Sequence, residues 1–168
     1  MQIYVCVKHV PDTAAKISVV GDVGFAETCK FVTNPYDEYA VEEAVRIVEK
    51  AGSGEVIVVT LGKEAALNTL RSVLAQGPDR GIFIKTEAQF MDSRIVSQAL
   101  KRAIEQDGVP DLIFTGKQSV DSEGMQTHFR LAEAFGMPAV TNVVGFSVEN
   151  GKVVAYRARV SLSFKYEA

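Results

Sequence analysis

Leu112-Ile113-Phe114-Thr115-Gly116-Lys117-Gln118-Ser119-Val120-Asp121-Ser122-Glu123-Gly124 is the stretch on which the fold turns. Its first four residues are too short a run for a helix and are apolar or β-branched almost throughout. A strand that does not alternate with polar residues is one buried on both faces, as in a parallel sheet covered by helices. The run passes directly into a polar, glycine-bounded segment, and helical periodicity resumes over residues 125–135. Strand, polar loop and helix in this order form one βα step of such a sheet.

Upstream, the same step repeats. Short apolar runs at 3–7, 56–60 and 81–85, with a further one at 139–141, read as strands, and longer stretches of helical period lie between them. The first helix opens at Asn34-Pro35-Tyr36-Asp37, where Asn34 suits the cap, Pro35 the first helical position, and Asp37 the positive end of the dipole. Its apolar stripe is Ala40, Val41, Ala44, Val45 and Val48, and it ends near Gly52. A second helix is expected over 63–76, turned inward on Ala66, Leu67, Leu70, Val73 and Leu74 and stopped by Gly77-Pro78. A third is expected over 92–106, on Ile95, Ala99, Ala103 and Ile104. Residues 16–20, with Gly21 and Gly24 nearby, and residues 144–148 joined to 153–157 through Asn150-Gly151, read as antiparallel hairpins. The expected architecture is an α/β, doubly wound, mostly parallel Rossmann-like sheet in the order 3-2-1-4-5, carrying hairpin additions.

The 168 residues are 47% hydrophobic and 23% charged, with a net charge of −3. At this length one core forms without disulfides or metals. The absence of excess Lys and Arg argues against nucleic acid or an anionic membrane as partner. Cys6 and Cys29 have neither redox nor zinc spacing, and Cys6 sits in an apolar run as a small hydrophobe would. The N-terminal residues lack the pattern of a secretory signal, and no apolar stretch approaches membrane-spanning length, so the expectation is a cytoplasmic protein with reduced thiols and no membrane insertion.

In a doubly wound sheet, ligands sit beyond the C-terminal strand ends where the strand order reverses. Here the loop starting at Lys8 and the loop starting at Gly116 meet at that point, with Leu61 at the end of the second strand and Asn34 closing the site. Gly116, Lys117, the hydroxyl and amide side chains, and a helix N-terminus with Met125, Gln126 and Thr127 in its first turn make an anion site. A solvated connection ending in a cap has the same composition. Asp121 and Glu123 suit magnesium or a ribose. Gly62-Lys63 is not a phosphate-binding P-loop, because Ile57 replaces the earlier glycine and Glu64 the magnesium-binding hydroxyl. A dinucleotide GxGxxG and a nucleophile elbow are also missing, and His9, His128 and the Glu42-Glu43 pair read as packing or surface residues.

Val5-Cys6-Val7-Lys8-His9-Val10-Pro11-Asp12, the stretch from Asn34-Pro35 through Ala40-Val41-Glu42-Glu43-Ala44, and Gly116-Lys117-Gln118-Ser119-Val120-Asp121 together resemble the β subunit of the electron transfer flavoproteins. The resemblance implies an adenine nucleotide α-hydrolase-like fold and a heterodimer with an α subunit. It implies one FAD at the interface, held mainly by α, and electron relay from dehydrogenases to a downstream acceptor by a carrier without catalytic residues of its own. It also implies a structural AMP bound by β through Cys6, Asn34, Pro35, Tyr36, Asp37, Leu61 and the segment from Gly116 to Thr127. Tyr36 after Asn34-Pro35 resembles the AMP-holding branch rather than the electron-bifurcating branch, which holds a second FAD there. Family members continue past the equivalent of Arg159 with a strand, a dehydrogenase-gripping loop and an arm around α. Residues 161–168 do not match that continuation. The expectation is therefore one nucleotide-binding domain over 1–168 with weakened dehydrogenase docking and α association. The alternatives are a stand-alone ATP- or AMP-binding stress-type module and a bifurcating β subunit.

Overall fold

A computed structural model describes residues 1–149 and 152–159. In chain order the elements are β1 (Gln2–Val7), β2 (His9–Pro11), β3 (Val19–Val20), β4 (Gly24–Phe25), β5 (Phe31–Thr33), α1 (Pro35–Ala51), β6 (Glu55–Gly62), α2 (Ala66–Leu74), β7 (Arg80–Lys85), α3 (Ser93–Asp107), β8 (Leu112–Thr115), α4 (Thr127–Phe135), β9 (Val143–Glu149) and β10 (Lys152–Ala158). Four strands form a parallel sheet in the order β7-β6-β1-β8, which is the expected 3-2-1-4. Its register places Val7 opposite Thr60 and Cys6 opposite Thr115.

Successive residues of the central strands point to opposite faces, and both faces are covered. Ile3, Val5, Val7, Val56 and Val58 pack with Val41, Ala44 and Ile47 of α1 and Leu70 and Val73 of α2. Tyr4, Ile57 and Val59 pack with Leu100 and Ile104 of α3 and Leu131 of α4. The double layer explains why the strands read as unbroken apolar runs. Among the described residues no helix is long and apolar enough to cross a membrane.

Residues 139–141 do not form the expected fifth strand. Ala139 and Val140 are exposed without a sheet neighbour, and Asn142, in the left-handed region at φ 53°, turns the chain into β9. The β9–β10 hairpin is present, with Phe146 set edge-on to Phe114 at 5.4 Å between ring centres. Its expected turn residues, Asn150-Gly151, lie outside the described residues, as do 160–168. The β3–β4 hairpin follows expectation, whereas the antiparallel ribbon of β2 with β5 has no counterpart in the sequence reading.

The helix faces show how burial selects between competing stripes. Along α3 two apolar rows at four-residue spacing compete: Ile95, Ala99 and Ala103 against Val96, Leu100 and Ile104. The second row carries more apolar surface and wins the interior, leaving Ile95 53% exposed. On α1 the buried set includes Ile47, which the expected stripe omits. The second helix starts at Ala66 rather than residue 63, and the fourth at Thr127 rather than 125.

At the N-terminal end of the sheet, Arg80 donates to Glu55 (2.6 and 3.2 Å) and Asp107 (2.6 and 2.8 Å). The Tyr4 hydroxyl also donates to Asp107 at 2.7 Å. Burial, then the neighbouring Asp107, pushes the Tyr4 phenol up to about 12. Arg80→Met removes four charge-assisted bonds and leaves two carboxylates facing each other. It is expected to cost about 1–2 kcal/mol, allowing for the partial exposure of the guanidinium. A lower urea midpoint at unchanged slope checks this, and an unchanged midpoint contradicts it.

Candidate functional site

The carboxyl ends of β1 and β8 lie side by side, and the chain leaves them toward opposite faces of the sheet. β1 leads, through the 8–33 excursion, to α1, and β8 leads to α4. A ligand crevice is expected at such a strand-order reversal. The N-terminus of α1 and the loop 116–124 meet there, joined by the side chains of Asn34 and Asp37, while that of Lys8, just past β1, holds the loop's outer part.

Asp37 is the innermost. It is 5% exposed, and its carboxylate accepts from the Lys8 backbone N–H at 2.8 Å and the Gly116 N–H at 2.9 Å. One side chain thus satisfies the first amide beyond β1 and the first beyond β8. Burial raises its pKa to about 6, against the opposing effect of those hydrogen bonds and of Lys8. The first-turn role expected for Asp37 is therefore secondary to joining three segments.

Asn34 occupies the cap position of α1, but its side chain makes no cap bond. It reaches across the crevice instead: Nδ2 donates to the Gln118 carbonyl at 2.9 Å, and Oδ1 accepts from the Val120 N–H at 3.1 Å. The amide, with one donor and one acceptor arm, reads the loop backbone as a neighbouring strand would. Asn34 itself is 1% exposed, and Gln118 and Val120 are half-buried. Asn34→Ala is expected to cost about 2 kcal/mol and to raise hydrogen exchange at Val120. Retained protection there contradicts the assignment.

Lys8 is the third fastener and was not among the residues expected to form the site. Its ammonium contacts both oxygens of Asp121 at 2.7 Å, Ser119 Oγ at 3.2 Å and Ser122 Oγ at 3.4 Å. Burial opposes ionisation of Asp121, but the Lys8 and Ser119 contacts prevail and hold its pKa below the ordinary carboxylate range. The available signal was position alone, since Lys8 is the first residue past a central strand. Asp121 is thus engaged by Lys8, and among the described residues no group of three or more His, Cys, Asp or Glu is placed to hold a metal ion.

Tyr36 lies at the base of the loop, with the Lys117 ammonium 5.4 Å from its ring centre. Cys6 faces the α3/α4 side beside Thr115, its thiol pushed up to about 12 by burial and then by the Asp37 charge. Leu61 ends β6 opposite Ile84, with no hydrogen bond to the loop. Pro35 lines a hollow with Glu38 and Tyr39 rather than the crevice. Glu123 and Met125 sit in the left-handed region at φ 49° and 51°, and Gly124 between them is exposed. Gln126 precedes α4 without capping it; its Oε1 accepts from Arg130 at 3.0 Å. The N–H groups of the α4 first turn, beginning at Thr127, consequently have no side-chain cap.

A cavity of about 520 Å³ opens elsewhere, between the β2–β5 ribbon and α2, and none of the expected site residues lines it. There His9 stacks on Phe31 with ring centres 4.4 Å apart and shares a 2.7 Å hydrogen bond with Thr69, the packing role expected of it.

Comparison with known proteins adds a second line of information. Residues 22–161 match the electron transfer flavoprotein domain. The chain is 39% identical over 143 residues to the electron transfer flavoprotein subunit beta of Dictyostelium discoideum, covering 84% of this chain and 56% of that protein. It is 40% identical over 157 residues to the mitochondrial subunit beta of Arabidopsis thaliana, covering 92% and 62%. It is 34% identical over 161 residues to the acryloyl-CoA reductase electron transfer subunit gamma of Anaerotignum propionicum, covering 94% and 60%. The chain thus spans about three-fifths of the length of these relatives.

Proposed function

Because the chain belongs to the electron transfer flavoprotein family, on the β-subunit side, we propose that it binds a structural AMP in the crevice between α1 and the loop 116–124. In this reading the chain pairs with an α subunit carrying FAD and serves electron passage from dehydrogenases to a downstream acceptor. The observation that carries the nucleotide part is the pinned loop. Asp37 and Asn34 hold residues 116–120 rigidly at the switch point, and an uncapped helix N-terminus follows within a few residues.

These residues fit the chemistry of an adenine mononucleotide. Free N–H groups at the start of α4 suit a phosphate, and Thr127 adds a hydroxyl there. Tyr36 at the base of the loop and Leu61 near the end of β6 supply flat and apolar surface for a base. FAD supplies redox chemistry when held by the partner subunit; this chain contributes a fixed platform and a bound structural nucleotide.

The direct test is to acid-denature the purified chain and identify released nucleotides by mass spectrometry. Stoichiometric AMP, with flavin colour only after addition of an α subunit, is the expected result. FAD released from this chain alone overturns the reading in favour of a bifurcating subunit. ATP in a self-associated chain overturns it in favour of a stand-alone module.

A further inference from the structure

The three fasteners of the loop differ in one respect: Asn34 and Asp37 are buried, whereas the Lys8 side chain is 45% exposed and Asp121 28% exposed. Lys8 and Asp121 come from positions 113 residues apart and meet across the outer part of the crevice. Ser119, Asp121 and Ser122 are gathered around the one ammonium, the last two lying beyond the Asn34 anchor at Val120, and the two serines share a 2.9 Å hydrogen bond. The Glu123 N–H closes this turn onto the Ser119 carbonyl at 2.9 Å. The inner half of the loop is therefore held by part-buried bonds from two buried side chains. Its outer half hangs on an ion pair that solvent can contest.

Resting on the nucleotide reading above, we propose that the Lys8–Asp121 pair is a latch on the outer half of the loop, and that its opening governs how fast a nucleotide enters or leaves the crevice. Physical chemistry makes such a contact readily reversible. An exposed pair is screened by salt, and its net contribution is small enough for opening to be frequent. The bonds of Asn34 and Asp37 stay closed during that motion, so residues 116–120 keep their place while 121–124 swing. Lys8 acts here by positioning Asp121.

The test uses the full chain without ligand and compares wild type with Lys8→Met, which keeps the apolar stem, and with Asp121→Asn, an independent disruption. Hydrogen exchange is followed at the Glu123 amide, with the Gly116 amide, held by Asp37, as internal control. In wild type the Glu123 amide is expected to exchange roughly two- to fivefold faster at about 1 M salt than at about 0.1 M. In both variants it is expected to be fast already and insensitive to salt, while Gly116 is unchanged. Dissociation of bound AMP is expected to accelerate by a similar factor in both variants. Wild-type exchange at Glu123 in the variants, equal loosening at Gly116, or unchanged AMP dissociation overturns the latch. A wild type that retains no AMP but shows salt-sensitive Glu123 exchange overturns the nucleotide reading and supports the latch.

Discussion

Gly116→Val is expected to abolish nucleotide retention and to destabilise the chain by about 3 kcal/mol, the upper end of what overpacking normally costs. A Cβ at Gly116 would collide with Asp37 Oδ1 and would lie 2.8 Å from Tyr36 Cβ and 2.9 Å from the Tyr36 carbonyl carbon. None of these atoms can give way. The Tyr36 carbon belongs to the first turn of α1, and the Asp37 carboxylate is held by the Lys8 and Gly116 amides. Relief requires β8 and α1 to separate, and that separation opens the crevice and breaks the Gly116–Asp37 bond. Urea unfolding and nucleotide content after purification check the two halves of the prediction. Gly124→Ala serves as control, since an added Cβ there meets nothing within 4 Å. Full AMP content and an unchanged midpoint in Gly116→Val would contradict the placement of the loop against α1.

Asp37→Asn is expected to remove a pH dependence of stability. The folded protein raises the Asp37 pKa from 3.8 to about 6, chiefly by burial. A carboxyl whose pKa is higher folded than unfolded contributes stability fully below its unfolded pKa, and that contribution is lost as pH rises through the folded value. Relative to Asp37→Asn, wild type should lose stability between pH 3.8 and about 6 and then level off. The total is on the order of 3 kcal/mol at 1.36 kcal/mol per pKa unit. The comparison isolates this residue because Asp12, Glu27, Asp92, Asp107 and Asp121, whose pKa values are lowered, act in the opposite sense in both proteins. Parallel stability curves for the two proteins over that range contradict the assignment. The group stays ionised at neutral pH because the two backbone amides it accepts from, and Lys8, offset part of the effect of burial.

Legibility differed by element for identifiable reasons. The four parallel strands and their order were readable because burial on both faces demands uninterrupted apolar runs, as in Val56-Ile57-Val58-Val59. Residues 139–141 carry a similar run but were misread, since apolarity over three residues cannot distinguish a paired strand from a segment ended by the turn at Asn142. In α3, periodicity alone could not choose between the rows led by Ile95 and Val96; total packed volume did. Local reading assigned Asn34 and Asp37 roles in capping and the helix dipole, whereas their hydrogen bonds run to residues about 80 positions away. Lys8 was placed at the start of a loop reaching the switch point, but its ion pair was not legible because its partner Asp121 is remote in sequence.

Local chemistry written along the chain determined the alternation of strands and helices and the doubly wound sheet. Those follow from which residues must leave water and from the periods at which they recur. Only the tertiary structure decided which side chains cross the crevice. A carboxylate, an amide and an ammonium are interchangeable as polar residues until folding brings Gly116, Gln118, Val120 and Asp121 within hydrogen-bond reach. From then on, a distance of about 3 Å and exclusion of water separate a fastening bond from a solvated group.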